Sequence, residues 1–241
     1  MDFDRTYPCH RDNYQPGRTA PVRYLVLHYV GAQGSAKNNA KYYSTTPGIQ
    51  ASAHYFVGHA EEHAAVFASV AEGDTAWHCG RSDGRYRHPD CRNANSIGIE
   101  LCCHQDQKGR WYFDPETVTQ AVALTRDLMD RYGIDIHHVL RHYDVTGKCC
   151  PAPYVEDAAA WTAFLSRLAS PPAPDLSDYD QINPCYTSLE QVPDYWRAEI
   201  RRLIEAGAIQ GDGNTALSLR RETLQALAVM VRYLEKRKEG A

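Results

Sequence analysis

Nowhere in the chain do about 18 apolar residues follow one another, so no segment reads as a membrane span. Excess basic charge is missing too: 26 Lys and Arg stand against 30 Asp and Glu, for a formal net charge of −4. That removes the electrostatic footprint of a nucleic-acid binder. The N-terminal MDFDRTYPCHRDNYQPGR has no apolar stretch behind its charges. It does not read as a secretory signal peptide, and the expectation is a protein that stays cytoplasmic until something else releases it. Neither HExxH nor PCxxC occurs, which excludes those two zinc-enzyme signatures.

What is present is histidine and cysteine, 11 and 8 in number. Without a signal peptide, reduced thiols are the expectation, and the two residue types together make a metal site worth seeking. The 241 residues, 43% of them hydrophobic, suffice for one full core and a small second one. Short apolar runs at 23–31, 53–59, 64–70 and 96–103 read as strands, and 137–144 as a short strand followed by a loop. Residues 35–45 read as a surface helix. The clearest helix is 114–133, with Asp114 as cap, Pro115 in the first turn, Gly133 at the end and apolar residues at helical spacing. Another covers 155–168. Strands alternating with helices predict an α/β fold, a central mixed sheet flanked by helices. Residues 170–184, rich in Pro, Ser and Asp, read as a linker between a domain at 1–169 and a module at 185–241. That module carries two amphipathic helices joined by a Gly-rich turn, and is near the lower size limit for folding alone.

The segment RHYDVTGKCCPAP (141–153) holds a histidine, a lysine and two cysteines. A catalytic zinc takes three protein donors and keeps one position open. His142 and Cys150 are eight residues apart, a separation a loop can fold into one coordination sphere. The third donor has to come from a neighbouring strand, and His28, ending the best central strand, is the candidate; it is also readable as a satisfied core histidine. Glu100 sits inside the strand SIGIELC, where a carboxylate is costly unless paired or functional. It reads as an arginine's partner, as a rim position, or as a general base with a raised pKa. Lys148 is either a solvated loop residue or a cation facing a developing oxyanion. Trp77 and His78 line a groove or belong to the core. Cys149 is expected to be a bystander, at least one of Cys102 and Cys103 plain core, and His59, His63, His137 and His138 solvated.

Three strings in order, LHYVG (27–31), NSIGIELC (95–102) and RHYDVTGKCCPAP, resemble signature blocks of type-2 N-acetylmuramoyl-L-alanine amidases. That family includes phage endolysins, bacterial autolysins and animal peptidoglycan recognition proteins. SAHYFV (52–57) and DTAWHCG (74–80) resemble its intermediate blocks, and the likeness spans roughly 23–168. The resemblance implies zinc (Zn2+) on His28, His142 and Cys150, Glu100 as catalytic acid/base and Lys148 as oxyanion partner. Some phage relatives carry a catalytic tyrosine where this chain has Ala53. Tyr55, expected on the same face of its strand, is the substitute candidate for substrate contact with Trp77 and His78.

The implied reaction is hydrolysis of the amide between the lactyl group of N-acetylmuramic acid and L-alanine of peptidoglycan, by a phage or prophage endolysin. The rivals are a peptidoglycan-binding protein without hydrolysis and a cytoplasmic wall-recycling amidase. The 185–241 module resembles a single S-layer-homology-like repeat, which implies a cell-wall polymer or a second copy of the chain as partner. Neither nucleic acid nor membrane is expected.

Overall fold

The structure, a computed structural model, describes residues 3–80, 83–169, 183–209 and 217–239. It divides into two compact units, Met1–Pro171 and Pro172–Ala241. Most of the expected linker, residues 170–182, lies outside the described residues.

Five strands make the main sheet of the first unit: β1 (Tyr24–Tyr29), β2 (Tyr55–Val57), β3 (Val66–Ala68), β4 (Ser96–Leu101) and β5 (Val139–Arg141). Their order is β3-β2-β4-β1-β5. Only β3 runs antiparallel to its neighbour; β2, β4, β1 and β5 are parallel, so the sheet is mixed as expected. Central strands buried on both faces need apolar side chains at nearly every position, which is what YLVLHY and SIGIEL supply.

Helices cover both faces. Leu25, Leu27, Ile97, Ile99 and Leu101 pack against Ala121, Leu124 and Leu128 of α2 (Pro115–Tyr132) and Phe164 of α5 (Ala158–Ala169). On the other face, Phe56 and Phe67 meet Ala36 and Ala40 of α1 (Ala36–Thr45), while Tyr24 and Val26 meet Val145 of α3 (His142–Thr146). Burying a Leu or Ile contributes about 1.5–3 kcal/mol, so the α2 face is the main source of stability.

Local signals explain the boundaries. The Ser35 side chain accepts from Asn38 N–H and starts α1. Pro115 opens α2, and Gly133, at φ 63°, closes it. Two expectations are corrected. The stretch after β5 is not a loop: it forms α3, ended by Gly147 at φ 82°. The helix expected over 155–168 starts three residues later, as α5, behind a separate short α4 (Ala152–Val155), because Asp157 Oδ1 accepts from Ala159 and Ala160 N–H and restarts the chain as a cap.

In the second unit α6 (Asp194–Glu205) and α7 (Arg221–Glu239) bury Val192, Trp196, Ile200, Leu217, Leu224 and Ala228. Leu234 of α7 is half exposed. No helix among the described residues is long and apolar enough to cross a membrane.

Candidate metal centre

Parallel register builds this site. His28 of β1 pairs with Glu100 of β4, and Leu27 of β1 pairs with Arg141, which ends β5. The carboxyl ends of three neighbouring strands therefore deliver Glu100, His28 and His142 to one sheet edge. Both residue 28 and residue 100 alternate away from the α2 face, because Leu27, Ile99 and Leu101 occupy it. Cys150 is folded back to them by two backbone bonds: its N–H donates to Lys148 O at 2.7 Å, and its C=O accepts from Tyr143 N–H at 2.8 Å. His28, His142 and Cys150 are all buried, with one donor atom of each within 4.8 Å of the others. Cys150 Sγ lies 3.6 Å from His28 Nδ1.

These donors fit a zinc ion. Neither ring nitrogen of His142 makes a well-formed hydrogen bond, although both are buried. Orphaned buried nitrogens cost free energy unless something coordinates them. Burial, then the neighbouring His142, His78, Lys148 and His54, hold His28 well below its ordinary pKa. Burial and Lys148 pull His142 down to about 4. Both imidazoles are thus neutral, as ligation requires. Burial and Glu100 push the Cys150 thiol up, so a metal has to displace its proton.

An outer chain of hydrogen bonds selects the tautomer. Ser96 Oγ donates its only proton to Arg92 O at 2.7 Å. His78 Nε2, 3.1 Å from Ser96 Oγ, must then be the donor of that pair. A neutral His78 has an accepting Nδ1, which sits 3.0 Å from His28 Nε2. His28 therefore carries its proton on Nε2 and turns the Nδ1 lone pair toward Cys150. Gly98 makes room for this: a Cβ there would fall 2.5 Å from His78 Cγ. Between the two readings the sequence left open for His78, groove or core, the fold takes the second and buries it behind His28.

Glu100 Oε2 is buried without a partner, and burial raises its carboxyl to about 8 against the pull of Lys148. Lys148 is exposed, and its charge also depresses His28 and His142. Trp77 is half-buried, tied by its backbone N–H to Ser52 Oγ. Tyr55 is not brought to the site. The chain bends at His54, before β2, which breaks the alternation from Ala53. Ala53 packs with Phe56 on the α1 face, while Tyr55 enters the α2 core and donates to Glu72. His59 is not solvated either; it is 7% exposed. A cavity of about 630 Å³ beside this edge, lined by Trp111, Tyr112, Pro153 and Glu156 among others, had no signal in the sequence, and none of the donors lines it.

Comparison with known proteins gives the following. Residues 18–153 match the N-acetylmuramoyl-L-alanine amidase family. The chain is 36% identical over 165 residues to the N-acetylmuramoyl-L-alanine amidase CwlL of Bacillus licheniformis, covering 65% of this chain and 43% of that protein. It is 32% identical over 158 residues to the N-acetylmuramoyl-L-alanine amidase BlyA of Bacillus subtilis (strain 168), covering 61% and 41%. The chain thus spans less than half the length of these curated relatives. In fold it is similar to PlyL, with TM-score 0.57, 24% identity and coverage of 70% of this chain and 98% of that one. The catalytic domain of XlyA gives 0.55, 21%, 70% and 99%.

Proposed function

The chain belongs to the N-acetylmuramoyl-L-alanine amidase family, and from that membership we propose that it hydrolyses the amide between the lactyl group of N-acetylmuramic acid and L-alanine in peptidoglycan. The observation that carries this reading is the convergence of His28, His142 and Cys150 with Glu100 at one sheet edge. A bound zinc ion supplies Lewis-acid polarisation of the scissile carbonyl and of the attacking water. His28 and His142 hold the ion as neutral donors, and Cys150 as a thiolate, which leaves a net charge of about +1.

Glu100 takes a proton from the water as its oxygen bonds to the lactyl carbonyl carbon. The same carboxyl then protonates the alanine nitrogen as the C–N bond breaks, leaving a lactyl carboxylate and a free amine. Burial raises the Glu100 carboxyl toward neutrality, the direction that lets one group both accept and return a proton. Lys148, exposed at the edge, faces the negative charge developing on the carbonyl oxygen. An intact Cys150 speaks against the reading as a binding protein without hydrolysis.

The test is a Glu100→Gln protein shown to retain zinc. Release of free stem peptides from purified walls, followed by mass spectrometry of the cleaved bond, is expected to fall by roughly 10²–10⁴. Release at the wild-type rate removes Glu100 from the mechanism, and products cut at another bond overturn the amidase reading.

The finer assignment is a phage or prophage endolysin, with the catalytic domain at 1–169, a linker at 170–184 and a wall-polymer-binding S-layer-homology-like module at 185–241. Supporting the last point, Tyr195, Val229, Met230 and Tyr233 in that module are all more than half exposed.

A further inference from the structure

A second group of metal-type donors lies outside the centre described above. His59 follows β2, Glu61 lies in the single turn Ala60–Glu62, His104 follows β4, and Asp114 immediately precedes α2. One donor atom from each falls within 4.8 Å of all the others. His104 Nε2 is 3.0 Å from Asp114 Oδ2 and 3.8 Å from Glu61 Oε2, and His59 Nδ1 is 3.8 Å from Asp114 Oδ2. The His59 and His104 rings stack with centroids 4.1 Å apart.

Two observations set this group apart from an ordinary charged surface. His59 has a side chain only 9% exposed, and its Nδ1, facing Asp114, is buried with no hydrogen-bond partner. Leaving it so costs on the order of 1–3 kcal/mol. Asp114 stands at the cap position of an 18-residue helix yet makes no cap bond. It forgoes about 1 kcal/mol of helix stabilisation. Its Oδ2 turns instead to His104 and to Ala60 N–H, 3.1 Å away.

We propose that His59, Glu61, His104 and Asp114 form a second, structural divalent-metal site with an N2O2 donor set, suited to zinc. Two neutral imidazoles and two carboxylates cancel the 2+ charge. Four donors at about 2.0–2.1 Å from zinc lie roughly 3.3–3.5 Å apart, so the group has to close by roughly 1 Å. Glu61, with a side chain 73% exposed, is free to make most of that movement. The ion ties the carboxyl ends of β2 and β4 to the start of α2 and gives the orphaned His59 nitrogen its partner. Because the donors contain no sulfur, the site is chemically distinct from the one at Cys150.

The full-length protein, metal-stripped and then titrated with zinc, is expected to bind two equivalents. Cys150→Ser, which disables the first centre, is expected to retain one. In that background His104→Ala is expected to abolish the remaining equivalent. Glu61→Gln, a change at an exposed carboxylate that leaves the core untouched, is expected to weaken it by roughly tenfold or more. Cobalt in the Cys150→Ser protein is expected to show d–d absorption with no sulfur-to-metal charge-transfer band. A Cys150→Ser protein that binds no zinc overturns the proposal. So does residual binding that both Glu61→Gln and His104→Ala leave unchanged, since that is adventitious surface binding.

Discussion

Ser96 has one proton to give, and Arg92 O receives it. Everything upstream follows from that: His78 donates to Ser96, His28 donates to His78, and the His28 lone pair points into the metal centre. Replacing Ser96 with Ala removes the acceptor and frees His78 to change tautomer. Zinc affinity, measured by chelator competition, is expected to drop by roughly tenfold, with a thermal transition of the metal-free protein close to wild type. Unchanged affinity would sink the relay. At this scale the sequence was legible where a side chain ends a strand or shares a loop with another donor, as His28, His142 and Cys150 do. It was not legible where the outcome depends on a face. His78 beside Trp77 gave no sign that it would sit behind His28, and one bend at His54 sent Tyr55 to the wrong side of the sheet. His59 and His104 follow neighbouring parallel strands, a proximity visible only once β2 and β4 are known to pair.

Among elements, α2 is held to the loop after β3 by Glu72. Arg131 donates to both carboxylate oxygens, at 2.6 and 2.8 Å, and the Tyr132 and Tyr55 hydroxyls add to them. Burial opposes ionisation of Glu72, but the bonds from Arg131, Tyr132 and Tyr55 outweigh it and hold the carboxyl at about 2, below its ordinary 4.5. A depressed folded value means the contribution is fully present above pH 4.5 and is lost as pH falls toward 2. Glu72→Gln is therefore expected to destabilise by about 2 kcal/mol at pH 7, discounted for the exposure of Arg131. The gap from wild type in denaturant melts should close as the pH falls through 4 toward 2; a gap independent of pH would show that ionisation is not its source. Helix boundaries were the most legible elements, since Ser35, Pro115 and Gly133 mark them locally. The α4–α5 break escaped notice because Asp157 looks like one more polar position in an amphipathic run.

On the scale of the whole molecule, the alternation of strands and helices announced a mixed sheet between helices, but not the order β3-β2-β4-β1-β5. Pairing is a long-range choice, and apolar runs such as YLVLHY and SIGIEL are compatible with several neighbours. The second unit has its own apolar core, centred on Trp196, Ile200 and Leu224, separate from the one beneath α2. If it serves as the wall-binding module, a chain ending at 171 is expected to keep its zinc content and its action on soluble wall fragments. Its sedimentation with intact walls should fall several-fold; full retention would remove the module from that role.

The placement of the metal donors at the carboxyl ends of strands that already pair through backbone bonds has a consequence for the order of events in the life of the molecule. The strands that carry the donors are joined to one another by backbone pairing and apolar packing, so the chain is expected to fold before the ion enters. Under that expectation a protein starved of zinc would be finished but silent, and adding the ion would restore it without the chain being made again.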